Sequence, residues 1–211
     1  SYAITNTSRS GGDVNREKLE LLASEIVQYA AQLEQGVRSI SVLEGCADES
    51  ISFHLSGNPD LAGYEHGAET DNCRVFHPQG GNVYFDNPPV NVNDGSDYFF
   101  YGGACVPGIG LGTGSCASDS ADNEELIMFL PNITLTACQI INEKMDLTAR
   151  GAPPPQDQAN AFDTGAPYTG SFSEGNAIAD AGGVLEGKFG GCFEGGGTPA
   201  AGTYHFYQVL R

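Results

Sequence analysis

The side chains best equipped for chemistry in this chain stand in two oxygen-rich stretches. NVNDGSD (91–97) sets Asn91, Asn93, Asp94 and Asp97 around a glycine, and DSADNEE (119–125) holds four acidic side chains. Both supply the hard oxygens that calcium selects. Neither completes the twelve-residue calcium loop, because no bidentate glutamate stands at the right offset. Asn93, Asp94 and Asp97 are therefore the metal candidates, calcium is the one ion the sequence offers, and no other cofactor is expected.

Other constellations fall short of a mechanism. Gly108, Gly110, Gly112 and Gly114 imitate a phosphate-binding loop, but the lysine and the following helix are missing. Ser115 has no G-x-S-x-G elbow around it. His54, His66, His77 and His205 could each act as a base, yet no motif places them, and His205 alternates with aromatics as a sheet residue does. Cys73 and His77 could share a metal on a helix, but Pro78 and the nearby glycines oppose one. Paired carboxylates of a glycosidase cannot be located by spacing. No catalytic constellation emerges, and an enzyme is not expected. Asn6-Thr7-Ser8 and Asn132-Ile133-Thr134 are glycosylation sequons.

Composition narrows the setting. The formal charge of −18 over 211 residues, with no basic run, repels nucleic acid and anionic membranes and leaves cations or basic partners. Six cysteines without a C-x-x-C pair fit three disulfides and an oxidising, extracellular or cell-surface location. Six cysteines allow fifteen pairings. The preferred one is Cys46–Cys73, Cys105–Cys116 and Cys138–Cys192. Its middle bridge would close VPGIGLGTGS, a loop unable to hold itself in place, and is worth roughly 3 kcal/mol of chain entropy. No apolar run approaches the roughly 18 residues needed to span a bilayer.

The element that must position everything else runs from Asp13 to Glu44. Leu19, Leu22, Ile26, Tyr29, Leu33, Val37 and Ile40 recur at steps of three and four and form one apolar stripe on a helix roughly 45 Å long. Asp13 can cap its start and Gly45 can stop it, with Gly36 as the weak point. Residues 1–12 form an extended arm ending in Gly11-Gly12, in which Tyr2 and Ile4 share a side. Residues 45–211 read as a glycine-rich, cysteine-rich head. Strand candidates are SISFHL (50–55), RVF (74–76) and NVYFD (82–86) around the turn PQGG, SDYFFYGG (96–103) and TYHFYQVL (203–210). ELIMFL (125–130) suits strand or helix, Pro131 resets the backbone after it, and 133–145 reads as a second helix. Residues 151–183, rich in Pro, Gly, Ala and Ser, read as a long surface excursion. The fold class is α+β: a long N-terminal amphipathic helix packed on a disulfide-stapled, mainly antiparallel β head.

This helix-then-head order resembles the ectodomain of a type IV pilin or pseudopilin. The stretches SYAITNTSRSGG, LEGCADESISF, DYFFYGGACVPGIGLGTGSC, ELIMFLPN and PAAGTYHFYQVL resemble, more narrowly, a group of exported pilin-like proteins of alphaproteobacteria. The resemblance implies a membrane-anchoring segment upstream of Ser1 and a structural subunit of an extracellular pilus-like filament or pseudopilus. The chain departs from pilins in lacking the apolar helix half with its early glutamate. Self-assembly is then expected through the arm (Tyr2, Ile4), as strand addition, and through the helix (Leu22, Ile26, Leu33). The alternative is a monomeric secreted or surface binding module, in the manner of a calcium-binding adhesin.

Overall fold

In this computed structural model, residues 11–110, 116, 124–172 and 176–211 are described, with side chains from residue 15 onward. Helix α1 spans Gly11–Leu43. It begins before Asp13, whose side chain lies outside the described residues. It ends where expected: Gly45 adopts φ +67°, and the Cys46 amide turns back to donate to the Ile40 carbonyl at 3.2 Å. The stripe is real. Ile26, Leu33, Val37 and Ile40 are fully buried, and Leu19 and Leu22 are partly covered by the same core. Gly36 is no weak point. A Cβ there would lie 2.5 Å from a Val83 methyl, so the glycine is what lets residues 75–83 close on the helix.

Five strands follow: β1 Phe99–Cys105, β2 Glu125–Ile133, β3 Asn176–Ala177, β4 Gly190–Glu194 and β5 Tyr204–Val209. Their order is β3-β1-β2-β5-β4, antiparallel except for the short β1–β3 pair. Helix α2, Leu135–Lys144, follows β2, and the Thr134 hydroxyl oxygen caps it by accepting from the Ala137 amide. ELIMFL is thus a strand. Pro131 does not end it but sits at a register shift between Leu130 and Ile133, where Asn132 takes φ +53°. β5 is flanked on both sides, as its apolar run requires.

Alternation along the strands feeds two cores. Phe100, Met128, Leu130 and Phe206 face α1 and α2 in one cluster. Phe99, Tyr101, Ile127, Phe129 and Tyr207 face the other way. That second face is covered by Ala161, Phe162, Ile178 and Leu185. The described residues of 151–183 are therefore not a surface excursion: apart from β3 they form an outer layer of the sheet built from loop, because their prolines and glycines oppose a long helix or strand.

SISFHL and RVF are also corrected. Their backbone partners come from one Ser52–Arg74 bridge and from turns, not from a sheet, and NVYFD has no strand. The reason is the tight return at Gly80 and Gly81, where a Cβ would strike the Arg74 carbonyl oxygen (2.2 Å) and the Val75 carbonyl oxygen (2.5 Å). This irregular segment still supplies core, with Phe53 stacked on Phe100 at 3.8 Å between centroids. The three disulfides are Cys46–Cys73, Cys105–Cys116 and Cys138–Cys192, the preferred pairing, and they fit an oxidising compartment. Among the described residues no helix is long and apolar enough to cross a membrane.

Candidate functional site

The densest polar constellation forms where the Cys46–Cys73 bridge gathers residues 52–74 beside the sheet. Glu69 is its hub, with its side chain 5% exposed. One carboxylate oxygen accepts from Arg74 at 2.6 Å and meets His54 Nδ1 at 3.0 Å, and the other accepts from the Ser52 hydroxyl. Arg74 also reaches Asp71 at 2.9 Å. Burial pushes the Glu69 carboxyl up, but the hydrogen bonds from Ser52, Arg74 and His54 outweigh it, so the group sits below the usual carboxylate range.

Two chemistries can be tested against this geometry. His54, Glu65 and Glu69 each bring one ligand atom within 4.8 Å of the others, the only such grouping among the described residues. A divalent ion there would have to displace the Arg74 guanidinium, since Glu69 already spends its oxygens on Arg74, His54 and Ser52. A Ser–His–acid relay fails on order. In a relay the imidazole stands between hydroxyl and carboxylate; here the carboxylate stands between Ser52 and His54, and Ser52 is fully buried. The arrangement is a lock on the loop rather than a reaction centre. Spacing gave no sign of it, because Ser52, Glu69 and Arg74 meet only through the fold.

The calcium candidates do not assemble into a cage. Asp94 accepts from the Ser96 amide and hydroxyl on one oxygen (3.1 and 2.5 Å) and from the Asn132 side chain on the other at 3.0 Å. Those donors, Ser96 first, hold its carboxyl below the usual range. The Asn93 side-chain nitrogen Nδ2 donates to the Ser96 carbonyl at 2.6 Å and the Pro131 carbonyl at 3.3 Å. Asp97 joins neither; burial, then nearby Asp60, raises its pKa. NVNDGSD is therefore a hydrogen-bonded turn pinned to the bulge of β2, with the Asp94 oxygens and Asn93 Oδ1 committed to internal donors. The same pinning occupies the side-chain nitrogen of Asn132, the sequon asparagine. Of DSADNEE only Glu124 and Glu125 fall among the described residues. Glu125 is 4% exposed, accepts from the Val106 amide at 3.0 Å, and is pushed up to about 7 by burial.

The histidines are structural. His66 Nε2 lies 3.0 Å from the Ile51 carbonyl, and His77 Nδ1 accepts from the Gln79 amide. His205 is buried between Phe162 and Phe193, and burial lowers its pKa to about 4. The assembly residues divide. Tyr2 and Ile4 lie outside the described residues. Ile26 and Leu33 are consumed by the chain's own core and are closed to a neighbour, whereas Leu22 is only partly covered. No family model matches this chain, and no curated protein or solved structure matches it either.

Proposed function

We propose that the chain is a structural subunit of an extracellular pilus-like filament or pseudopilus, assembling through the N-terminal end of α1 and the arm before it. The observation that supports this reading is the uneven burial of α1. From Ala23 to Ile40 the helix is sunk into the body, yet none of residues 15–22 is buried. That end carries Leu19 and Leu22 half-covered and Leu21 67% exposed. An amphipathic helix with one end embedded in a disulfide-braced body and the other offering leucines is the shape a stacking subunit needs. Three disulfides and the oxidising compartment they fit suit a surface fibre as well.

Light scattering after size exclusion, with electron microscopy of natively purified material, tests the proposal. The protein should assemble with rising concentration. Leu21→Glu, at an exposed position, should keep the melting temperature and weaken assembly at least about tenfold, as burying one unpaired charge requires. Deleting residues 1–9 should do the same if the arm adds as a strand. A protein monomeric at every concentration, or Leu21→Glu assembling normally, overturns the reading.

A further inference from the structure

Beside α1, away from the Glu69 hub, a cavity of about 240 Å³ opens between the helix and the segment 86–98. It is lined by Glu25, Tyr29, Asp86, Asn87, Pro89 and Tyr98. Its floor is aromatic. Tyr29 and Tyr98 are 9% and 4% exposed, with ring centroids 5.0 Å apart. Its rim is anionic, since Glu25 and Asp86 are both exposed to solvent.

The two phenols differ in a telling way. Tyr29 Oη accepts from the Asp86 amide at 3.3 Å and ties the rim to the helix. The Tyr98 hydroxyl makes no hydrogen bond to any described residue, although the side chain is almost wholly buried and lines the cavity. Its oxygen is not sealed from solvent, so it stays open on the cavity side to a donor brought by a ligand. Burial, then Tyr29, Asp86 and Glu25, raises the Tyr98 pKa, which keeps the phenol protonated and the cavity free of a third charge.

We propose that this cavity binds an organic cation, an alkylammonium or guanidinium group, with Glu25 and Asp86 taking the charge, Tyr29 and Tyr98 taking the alkyl stem, and the Tyr98 oxygen accepting a hydrogen bond. A bare metal ion fits poorly: a hard divalent ion wants roughly six to eight oxygens, and the site offers two carboxylates and two phenols. An anion is excluded by the rim. A neutral apolar ligand would strand both carboxylates against it. A cation gains from the carboxylates, from the ring faces and from the field of a chain of net charge −18. The group can come from a free amine or from a lysine or arginine on a partner protein. Asn87 also borders a second, more apolar groove with Leu55, Phe76 and Phe85, into which residues flanking such a side chain would lie. The inference does not depend on assembly, and a failed filament experiment leaves it standing.

The test is a titration of the whole chain with n-butylammonium, N-methylguanidinium and neutral n-butanol, followed by the NMR shifts of backbone amides and tyrosine rings. The cations should give saturable shifts confined to residues 25–29, 86–89 and 98, weakening as salt is raised. Glu25→Gln and Asp86→Asn should each weaken binding about tenfold, Tyr98→Phe severalfold, and Glu186→Gln, beyond the opposite face of the sheet, not at all. A short lysine peptide binding more tightly than n-butylammonium, with its Nζ-acetylated form silent, assigns the group to a protein partner; equal affinities assign a free amine. Binding of n-butanol as tight as that of the cations, shifts spread evenly over the acidic surface, or no saturation by about 100 mM overturns the proposal.

Discussion

At the scale of single residues, two buried ionisable groups pull stability in opposite directions. Burial raises Glu125 from its ordinary 4.5 to about 7, so the folded state holds its proton longer than the unfolded chain does. Its contribution is complete below pH 4.5 and is lost as pH rises through about 7, a span of about 3 kcal/mol. His205 is depressed from 6.5 to about 4 by burial, so its contribution is present above pH 6.5 and is lost as pH falls toward 4. Between pH 4.5 and 6.5 the two slopes oppose each other. Glu125→Gln keeps an acceptor for the Val106 amide and removes one slope. Relative to the natural chain, the variant should gain about 3 kcal/mol on going from pH 4.5 to pH 8, as read by urea unfolding. An equal stability difference at both pH values would show that Glu125 is not held as a neutral acid.

At the scale of elements, close approach and a few buried polar links decide how the pieces register. Asn142 on α2 donates to the Cys192 carbonyl and accepts from the Cys192 amide, both at 2.8 Å, beside the Cys138–Cys192 bridge. α1 is tied to α2 by Arg16–Glu143 at 2.8 Å and to β5 by Gln208–Glu34 at 3.2 Å, but its depth is set by Gly36. In an isolated helix Gly36→Ala would gain about 1 kcal/mol. Here the added methyl meets the nearly buried Val83, and overpacking costs about 1–3 kcal/mol. Gly36→Ala should therefore lower stability, and adding Val83→Ala should restore part of the loss through a coupling energy of at least about 0.5 kcal/mol. Urea melts of the two single variants and the double variant measure it. Additive effects would mean that the helix and the 75–83 segment do not share this contact.

At the scale of the whole molecule, two bridges tie strands of the sheet to their surroundings and the third ties the irregular segment to the helix end. Cys46–Cys73 braces the irregular segment against the end of α1, and Cys138–Cys192 crosses from α2 to β4. Their sequence separations are 27 and 54, against 11 for Cys105–Cys116. The chain-entropy model then ranks them at about 3.6, 4.2 and 2.8 kcal/mol respectively. Paired Cys→Ala variants should lower the melting temperature in that order, greatest for Cys138/Cys192, and the unreduced natural chain should take up no alkylating label by mass. Two or more labels, or a Cys105/Cys116 variant that is the least stable, would contradict the ranking.

What the sequence determined by itself is what neighbouring residues encode. The stripe from Leu19 to Ile40 dictates a helix because steps of three and four align on one face, and Gly45 ends it because it turns left-handed without strain. SDYFFYGG and TYHFYQVL declare buried strands because both of their faces are apolar. That three bridges form was readable from an even cysteine count, and one loop in need of closure favoured Cys105–Cys116, but which cysteines make the other two bridges depends on how the elements pack. Tertiary structure decided the rest. SISFHL alternates like a strand, yet it pairs only through the single Ser52–Arg74 bridge and local turns and joins no sheet, because the chain returns on itself at Gly80 and Gly81. Residues 151–183 look like exposed loop by composition, yet they carry Phe162 and Ile178 onto the sheet's second face, which no local pattern announces. Asp94 looks like a calcium ligand until its oxygens meet Ser96 and Asn132. Glu25 and Asp86, or Ser52 and Arg74, meet across long spans of chain. Such meetings depend on how the elements pack, and local periodicity carries no record of that.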